Sequence, residues 1–176
     1  MPAIDFAVLA QDCAPWVAPQ TLAAIVKTES SFNPYAIGVN GAKLVRQPAN
    51  KEEAIVTAQW LISHGYKIDL GFGQISPANR LKYGYTVSDA FDLCKNMALS
   101  ATILEHDYQA AKKAGQGDQE ALQSALSAYN TGSTSKGFTN GYVHRVLHNA
   151  NTLPGENNPR PLQDVAVSNP ATRRKE

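Results

Sequence analysis

Ala18-Pro19-Gln20-Thr21-Leu22-Ala23-Ala24-Ile25-Val26-Lys27-Thr28-Glu29-Ser30-Ser31-Phe32-Asn33-Pro34 is the stretch on which the reading of the chain turns. Its pattern predicts a helix. Pro19 suits the first turn, where a missing N–H costs nothing. Asn33-Pro34 stops it, because a residue before proline is pushed out of the α region. Leu22, Ile25 and Val26 follow the spacing of one buried face, and the next place on that stripe is Glu29, with Phe32 beyond it. A carboxylate on a buried face either finds a partner or holds its proton. A glutamate protonated near neutral pH is what a general acid requires. The plain alternative is a helix-end glutamate turned to water or paired with a lysine.

Composition narrows the classes. The chain has 176 residues, 43% hydrophobic and 18% charged, with a formal net charge of +1. That is one globular domain of residues 1–150, followed by a tail. Residues 1–150 carry 12 basic and 12 acidic side chains, a balance that argues against a nucleic-acid partner. No apolar run reaches membrane-spanning length. Met1 to Ala10 lacks a basic start and carries Asp5 within its apolar run, so it does not read as a secretion signal. Cys13 and Cys94 fit no zinc motif. They are either buried thiols or one disulfide closing a long loop, and a disulfide would require an oxidising compartment.

Outward from the Glu29 helix the pattern is mostly helical. Ile4 to Cys13 predicts a short helix with Ile4, Val8 and Leu9 inward, ended by Pro15. Asn40-Gly41, flanked by short apolar segments, predicts a β-hairpin. Asn50, with Glu53 three residues on, predicts a capped helix that buries Ala54, Ile55, Ala58, Leu61 and Ile62 and ends near Gly65. Ile68 to Pro77 is a glycine-rich extended piece, and Ser88 to Phe91 one helical turn. Asn96 is expected to open a longer helix burying Met97, Ala101, Leu104, Tyr108 and Ala111. Asp118 is expected to cap the next, with Leu122, Ala125, Leu126 and Tyr129 inward. A last helix runs from Asn140 to about Ala150. Residues 151–176, with four prolines and no apolar periodicity, read as a disordered tail. Runs of helix without alternating strands exclude an α/β sheet.

Four places set polar residues at breaks in regular structure. They are Glu29-Ser30, Gly71-Phe72-Gly73-Gln74-Ile75, Ala128-Tyr129-Asn130-Thr131-Gly132 and Gly141-Tyr142-Val143. Each alone has an ordinary structural explanation, such as a tight turn or a helix end. Their combination and order resemble the lytic transglycosylases with a goose-type-lysozyme-like fold. There a Glu-Ser pair precedes Asn-Pro, a glycine-led segment ends in Gln-Ile, and Ala-Tyr-Asn-x-Gly and Tyr-Val follow. Gly73 stands where a Met is common. The segments Cys13-Ala14-Pro15, Ala36 to Gly41, Leu44-Val45-Arg46-Gln47-Pro48 and Cys94-Lys95-Asn96 resemble the transglycosylases of type IV secretion systems. The 45-residue separation of Glu29 and Gln74 exceeds the usual spacing in soluble transglycosylases, as in that subgroup.

The resemblance implies a mainly α, lysozyme-like α+β fold with one small β-hairpin insertion and a groove between helices. It implies cleavage of the MurNAc-GlcNAc β-1,4 bond of peptidoglycan to 1,6-anhydromuramyl ends, opening the wall for a secretion or conjugation apparatus. The alternatives are a hydrolytic lysozyme and a non-catalytic wall-binding assembly module. Glu29 would be the sole acid/base, holding its proton to higher pH than a surface carboxylate. Gln74, Tyr129 and Asn130 would line the glycan site. Tyr142 would support the protonated Glu29, and Ser30 would orient the helix end or a neighbouring loop. No metal or cofactor is implied. Partners would be glycan strands and secretion components. The substrate implies the periplasm, where Cys13 and Cys94 would be bridged. Glycosidases normally use two carboxylates. Asp69 is the only acid near the glycine segment, and the family does not require it. His144 and His148 have metal-ligand spacing on a helix, but no third ligand is evident.

Overall fold

The computed structural model describes residues 5–153. Ile4 and residues 154–176, hence nearly all of the expected tail, lie outside the described residues. The elements in order are α1 (Phe6–Cys13), α2 (Pro19–Ser30), β1 (Ile37–Val39), α3 (Lys51–Ser63), β2 (Ile68–Leu70), α4 (Pro77–Lys82), α5 (Val87–Ala90), α6 (Leu93–Lys113), α7 (Asp118–Thr131), α8 (Lys136–Thr139) and α9 (Tyr142–Thr152). The mainly helical class read from the sequence is the observed one. None of the described helices is long and apolar enough to cross a membrane. The chain divides into two compact units, residues 29–100 and residues 1–28 with 101–176.

In the first unit, β1 pairs antiparallel with β2, Ile37 opposite Leu70, Gly38 opposite Asp69 and Val39 opposite Ile68. This corrects the expected hairpin. Asn40-Gly41 does turn the chain, and Val39 bridges Ala42, but Lys43 to Arg46 form no strand. Val45 is wholly exposed and has nothing to pack against. The partner strand comes instead from beyond α3. Gln47 explains why β1 accepts no second strand on its outer edge. Its Oε1 accepts from Ile37 N at 2.8 Å, and its Nε2 donates to Ile37 O at 3.1 Å. A side-chain amide thus takes both groups that another strand would have used.

Ile37, Ile68 and Leu70 pack with Ala54, Ala58 and Leu61 of α3 and with Ala90 and Phe91. Ile62, expected in this core, is 40% exposed, on the outward side of α3 with Val56 and Trp60. Asn50 caps α3 by accepting from Glu53 N at 2.9 Å. The Glu53 carboxylate accepts from Ala49 N and Arg46 rather than from the Asn50 N–H, so the reciprocal half of the capping box is displaced by one residue. Helix α6 starts at Leu93, not Asn96, because Asp92 supplies the cap, its Oδ1 accepting from Lys95 N at 2.9 Å. Asn96 is thereby freed for a buried role.

In the second unit, Leu22, Ile25 and Val26 of α2 are fully buried, as are Leu104, Leu122, Leu126 and Val146. Gln20 Nε2 donates to Ala150 O, and Asn149 Nδ2 donates to Thr28 Oγ1 at 2.9 Å, fixing α9 along α2. Helix α1 begins at Phe6 with Asp5 as its cap, and Val8, expected inward, is 55% exposed. Gly117, not Asp118, caps α7. The Asp118 carboxylate instead accepts from Tyr108 and Lys112 of α6. Helices α4 and α8 were not anticipated, since each is barely one turn or two and carries no readable stripe.

Helix α5 ends at Ala90, whose carbonyl becomes part of the candidate site. Thr86 and Asp89 cap it reciprocally. The Lys95 ammonium and the Thr86 N–H hold the Asp89 carboxyl down at about 2. A carboxyl lowered on folding adds stability above its unfolded value, about 3.9, and loses it as pH falls through the folded one. Acid titration of thermal stability should therefore show a loss between about pH 4 and pH 2 that is absent in Asp89→Asn. For so exposed a pair it should not exceed about 1 kcal/mol.

Candidate active site

Glu29 lies in the last turn of α2, partly buried, at the end of the stripe formed by Leu22, Ile25 and Val26. The helix stops earlier than Asn33-Pro34 requires. It ends at Ser30 because Ser31 and Phe32 both adopt left-handed backbone, with φ of 51° and 63°. The chain then makes two tight turns. Asn33 N donates to Ser30 O, and Ala36 N donates to Asn33 O. The carbonyl of Ala36 closes this segment onto the glycine turn, accepting from Gly71 N at 2.9 Å and from Gln74 Nε2 at 3.1 Å.

The glycine turn joins Leu70 to Ile75, which bond to each other through both backbone groups. Gly71 has φ of 75°. A Cβ there would strike the Ala90 carbonyl and the Asn96 amide, so this position excludes every other residue. Asn96, 1% exposed, holds the turn from beneath. Its Nδ2 donates to Leu70 O at 3.0 Å and to Ala90 O at 2.7 Å, and its Oδ1 accepts from Gly73 N at 2.9 Å.

Gln74 itself has φ of 50°. Its Nε2 donates to Gly71 O at 3.0 Å as well as to Ala36 O, so both amide protons are used within the protein. Gln74 therefore braces the segment after Glu29 against the turn, and only its Oε1 is left to meet a ligand. That oxygen lies over Gly38, where a Cβ would collide with it. Ser31, Phe32 and Gln74 are the non-glycine residues at positive φ among those described. Such conformations cost about 1–3 kcal/mol each and gather where a site over-determines its backbone.

The other motif residues lie in the second unit. Tyr129 and Asn130 end α7, and Gly132 closes it in the left-handed conformation. Asn140, read from sequence only as a helix start, is a clamp. Its Nδ2 donates to Asn130 Oδ1 at 2.9 Å, and its Oδ1 accepts from Tyr142 N at 2.9 Å. It thus ties Asn130 to the head of α9. Tyr142 is 1% exposed, with the Arg145 guanidinium 5.9 Å from its ring centre. Gly137 packs on Ser127, whose Oγ accepts from Gly137 N at 2.8 Å.

Cys13 and Cys94 are both disulfide-bonded, and no free thiol remains among the described residues. His144 and His148 are exposed on α9, and the described residues contain no group of three or more His, Cys, Asp and Glu arranged to hold a metal ion. Gly38 and Asn96 lie in segments that carry the resemblance, but motif reading gave them no role, and it did not single out the bracing position of Asn140. Asn96 did carry one signal, a polar residue at the edge of the Met97 heptad stripe.

Comparison with known proteins matches residues 7–150 to the family described as Transglycosylase SLT domain. The chain is 49% identical over 154 residues to the type IV secretion system protein virB1 of Brucella abortus, covering 84% of this chain and 64% of that one. It is 34% identical over 160 residues to protein virB1 of Agrobacterium fabrum, covering 91% and 65%. It is 35% identical over 149 residues to protein virB1 of Rhizobium radiobacter, covering 85% and 62%. The chain thus spans somewhat less than two thirds of the length of these relatives. No solved structure matches it.

Removing the Asn96 amide strands the Ala90 carbonyl and the Gly73 N–H in a dry interior and leaves Leu70 O with Ile75 N alone. Asn96→Leu should cost about 2–4 kcal/mol in denaturant unfolding. Asn96→Asp should be similarly damaging, because both donors become acceptors facing carbonyls.

Proposed function

The chain belongs to the Transglycosylase SLT domain family, and on that premise we propose that it is a peptidoglycan lytic transglycosylase in which Glu29 is the acid and base. The observation that carries this reading is the convergence of strained backbone on one acidic residue. Glu29 ends the α2 stripe, left-handed residues follow it, and Gln74 braces that segment against the glycine turn. In this reading Glu29 enters the reaction as the protonated acid.

The steps follow from that state. Glu29 donates its proton to the glycosidic oxygen as the bond from MurNAc C1 to GlcNAc O4 breaks. The 2-acetamido group of MurNAc stabilises the cationic sugar, the substrate-assisted exception to the two-carboxylate rule. Glu29, now a carboxylate, takes the proton of the muramyl 6-hydroxyl as O6 bonds to C1. The 1,6-anhydromuramyl end forms without water, and internal attack draws its rate from proximity. Asn130 and Tyr129 would meet the glycan. Buried Tyr142 would act by packing, and Ser30 by orienting the end of α2.

Residues 1–150 would form the catalytic domain. The relatives named as type IV secretion proteins support a role in opening the wall for such an apparatus, with its components as partners. Peptidoglycan as substrate supports the periplasm, and the disulfide-bonded state of Cys13 and Cys94 supports an oxidising compartment.

The test is digestion of purified sacculi with mass spectrometry of the released muropeptides. The wild-type chain should yield ends lacking one water. Glu29→Gln should slow release by roughly a hundredfold or more. Hydrated ends would make the protein a lysozyme. Release undiminished in Glu29→Gln would remove Glu29 from the chemistry. A wild-type chain that binds sacculi and releases nothing would make it an assembly module.

A further inference from the structure

Helix α9 buries Tyr142, Val143, Val146 and Ala150 on one face. Its other face borders a recess of about 380 Å³, lined by His144, Arg145, His148 and Asn149. These four fall in two adjoining rows, His144 above His148 and Arg145 above Asn149, as residues four apart on a helix do. The recess is tied at both ends to motif segments. At one end Arg145 Nη1 donates to Asn140 O at 3.3 Å, and Asn140 holds Asn130. At the other, Asn149 Nδ2 donates to Thr28 Oγ1 at 2.9 Å, and Thr28 is the residue before Glu29.

The lining offers donors and no carboxylate. From Asn130 to Leu153 the chain contains Lys136, His144, Arg145 and His148 and no acidic residue. Arg145 takes no carboxylate partner among the described residues. A guanidinium has five N–H groups, and Asn140 O takes one of them. Each imidazole presents at least one N–H. Asn149 uses one amide proton on Thr28, which leaves it a second N–H and its Oδ1. That remaining pair is the complement of a peptide bond, which presents one acceptor and one donor. The recess is therefore built for a ligand that combines a negative charge with an amide.

We propose that this recess binds the peptide stem of peptidoglycan, with Arg145 and the two histidines on a stem carboxylate and Asn149 on a stem amide. This rests on the transglycosylase reading and adds the peptide to the sugar as a recognised part of the substrate. The two alternating sugars of the strand both carry the 2-acetamido and 6-hydroxyl groups that the reaction uses. They differ in the lactyl group of MurNAc and the acidic peptide attached to it. A site that reads the peptide therefore decides which of the two alternating bonds is cut. A guanidinium pairs with a carboxylate through two parallel N–H bonds, which fixes orientation as well as supplying attraction. The tie from Arg145 to Asn140 joins that orientation to Asn130, the residue assigned to the glycan.

The experiment uses sacculi in two forms, native and with their carboxyl groups converted to methylamides by carbodiimide and methylamine. The fraction of protein that co-sediments is measured against sacculus concentration, with muropeptide release followed alongside. The wild-type chain should half-saturate at about tenfold lower concentration on native than on amidated sacculi, as for a charge-assisted pair. Arg145→Gln should raise the native value by a similar factor, and amidation should then add less than about twofold, because both changes remove the same contact. Arg145→Lys should recover part of the affinity by restoring the charge. His148→Gln, which is not bonded to Asn140, should shift binding the same way by a smaller factor. Melting temperatures should match wild type, since His148 and Arg145 are exposed. Wild-type binding that is indifferent to amidation overturns this inference, and anhydro ends would then leave the Glu29 reading standing. An Arg145→Gln loss that persists undiminished on amidated sacculi makes Arg145 a support of Asn140 alone and overturns it also. A wild-type chain that prefers native sacculi but releases no muropeptide overturns the Glu29 reading and leaves this one standing.

Discussion

One buried amide supports the geometry of the glycine turn. Asn96 sits on α6 at 1% exposure and joins the end of β2, the end of α5 and the turn at Gly73. An amide has two donors and one strong acceptor, and all are used here on backbone groups, the Ala90 carbonyl, the Gly73 N–H and the Leu70 carbonyl, which also accepts from Ile75 N. Without it the Gly73 N–H and the Ala90 carbonyl would lose the partner that the irregular backbone does not supply. With Asn96 in place, Gly71 can pass against α5 at a distance no side chain allows. Gln74 is then presented in a backbone conformation it would not choose alone.

From that fixed turn the order passes to the acidic residue. Gln74 and Gly71 both donate to Ala36 O, and two tight turns connect Ala36 back to Ser30. Strain lies at both ends of this chain of hydrogen bonds, at Ser31 and Phe32 on one side and Gln74 on the other. Elsewhere among the described residues, positive φ falls on glycine, where it costs little. The cost is concentrated where chemistry is proposed.

Long periodic helices were legible. Met97, Ala101, Leu104, Tyr108 and Ala111 are all buried as their spacing predicts, and so are Leu22, Ile25 and Val26. Errors fell where a side chain, not a period, decides the outcome. The Asn40-Gly41 hairpin failed because the Gln47 amide occupies the edge of β1 and the true partner strand arrives after α3. The sequence predicts Asn96 as a helix start and Asp118 as a cap. Asp92 and Gly117 hold those places, and the two side chains reach tertiary partners instead. Ile62 is exposed because the helical pattern does not distinguish a narrow buried face from a wide one.

The sequence by itself determined the helical class, the family and the position of Glu29, because these depend on local periodicity and on motifs whose residues lie close along the chain. Only the tertiary structure decided what holds those motifs. That Gln74 spends its amide protons on the protein, and that Asn96 and Asn140 are clamps, are matters of which groups meet across tens of residues. Hydrogen-bond satisfaction is settled by proximity in space, and a one-dimensional pattern carries no record of it.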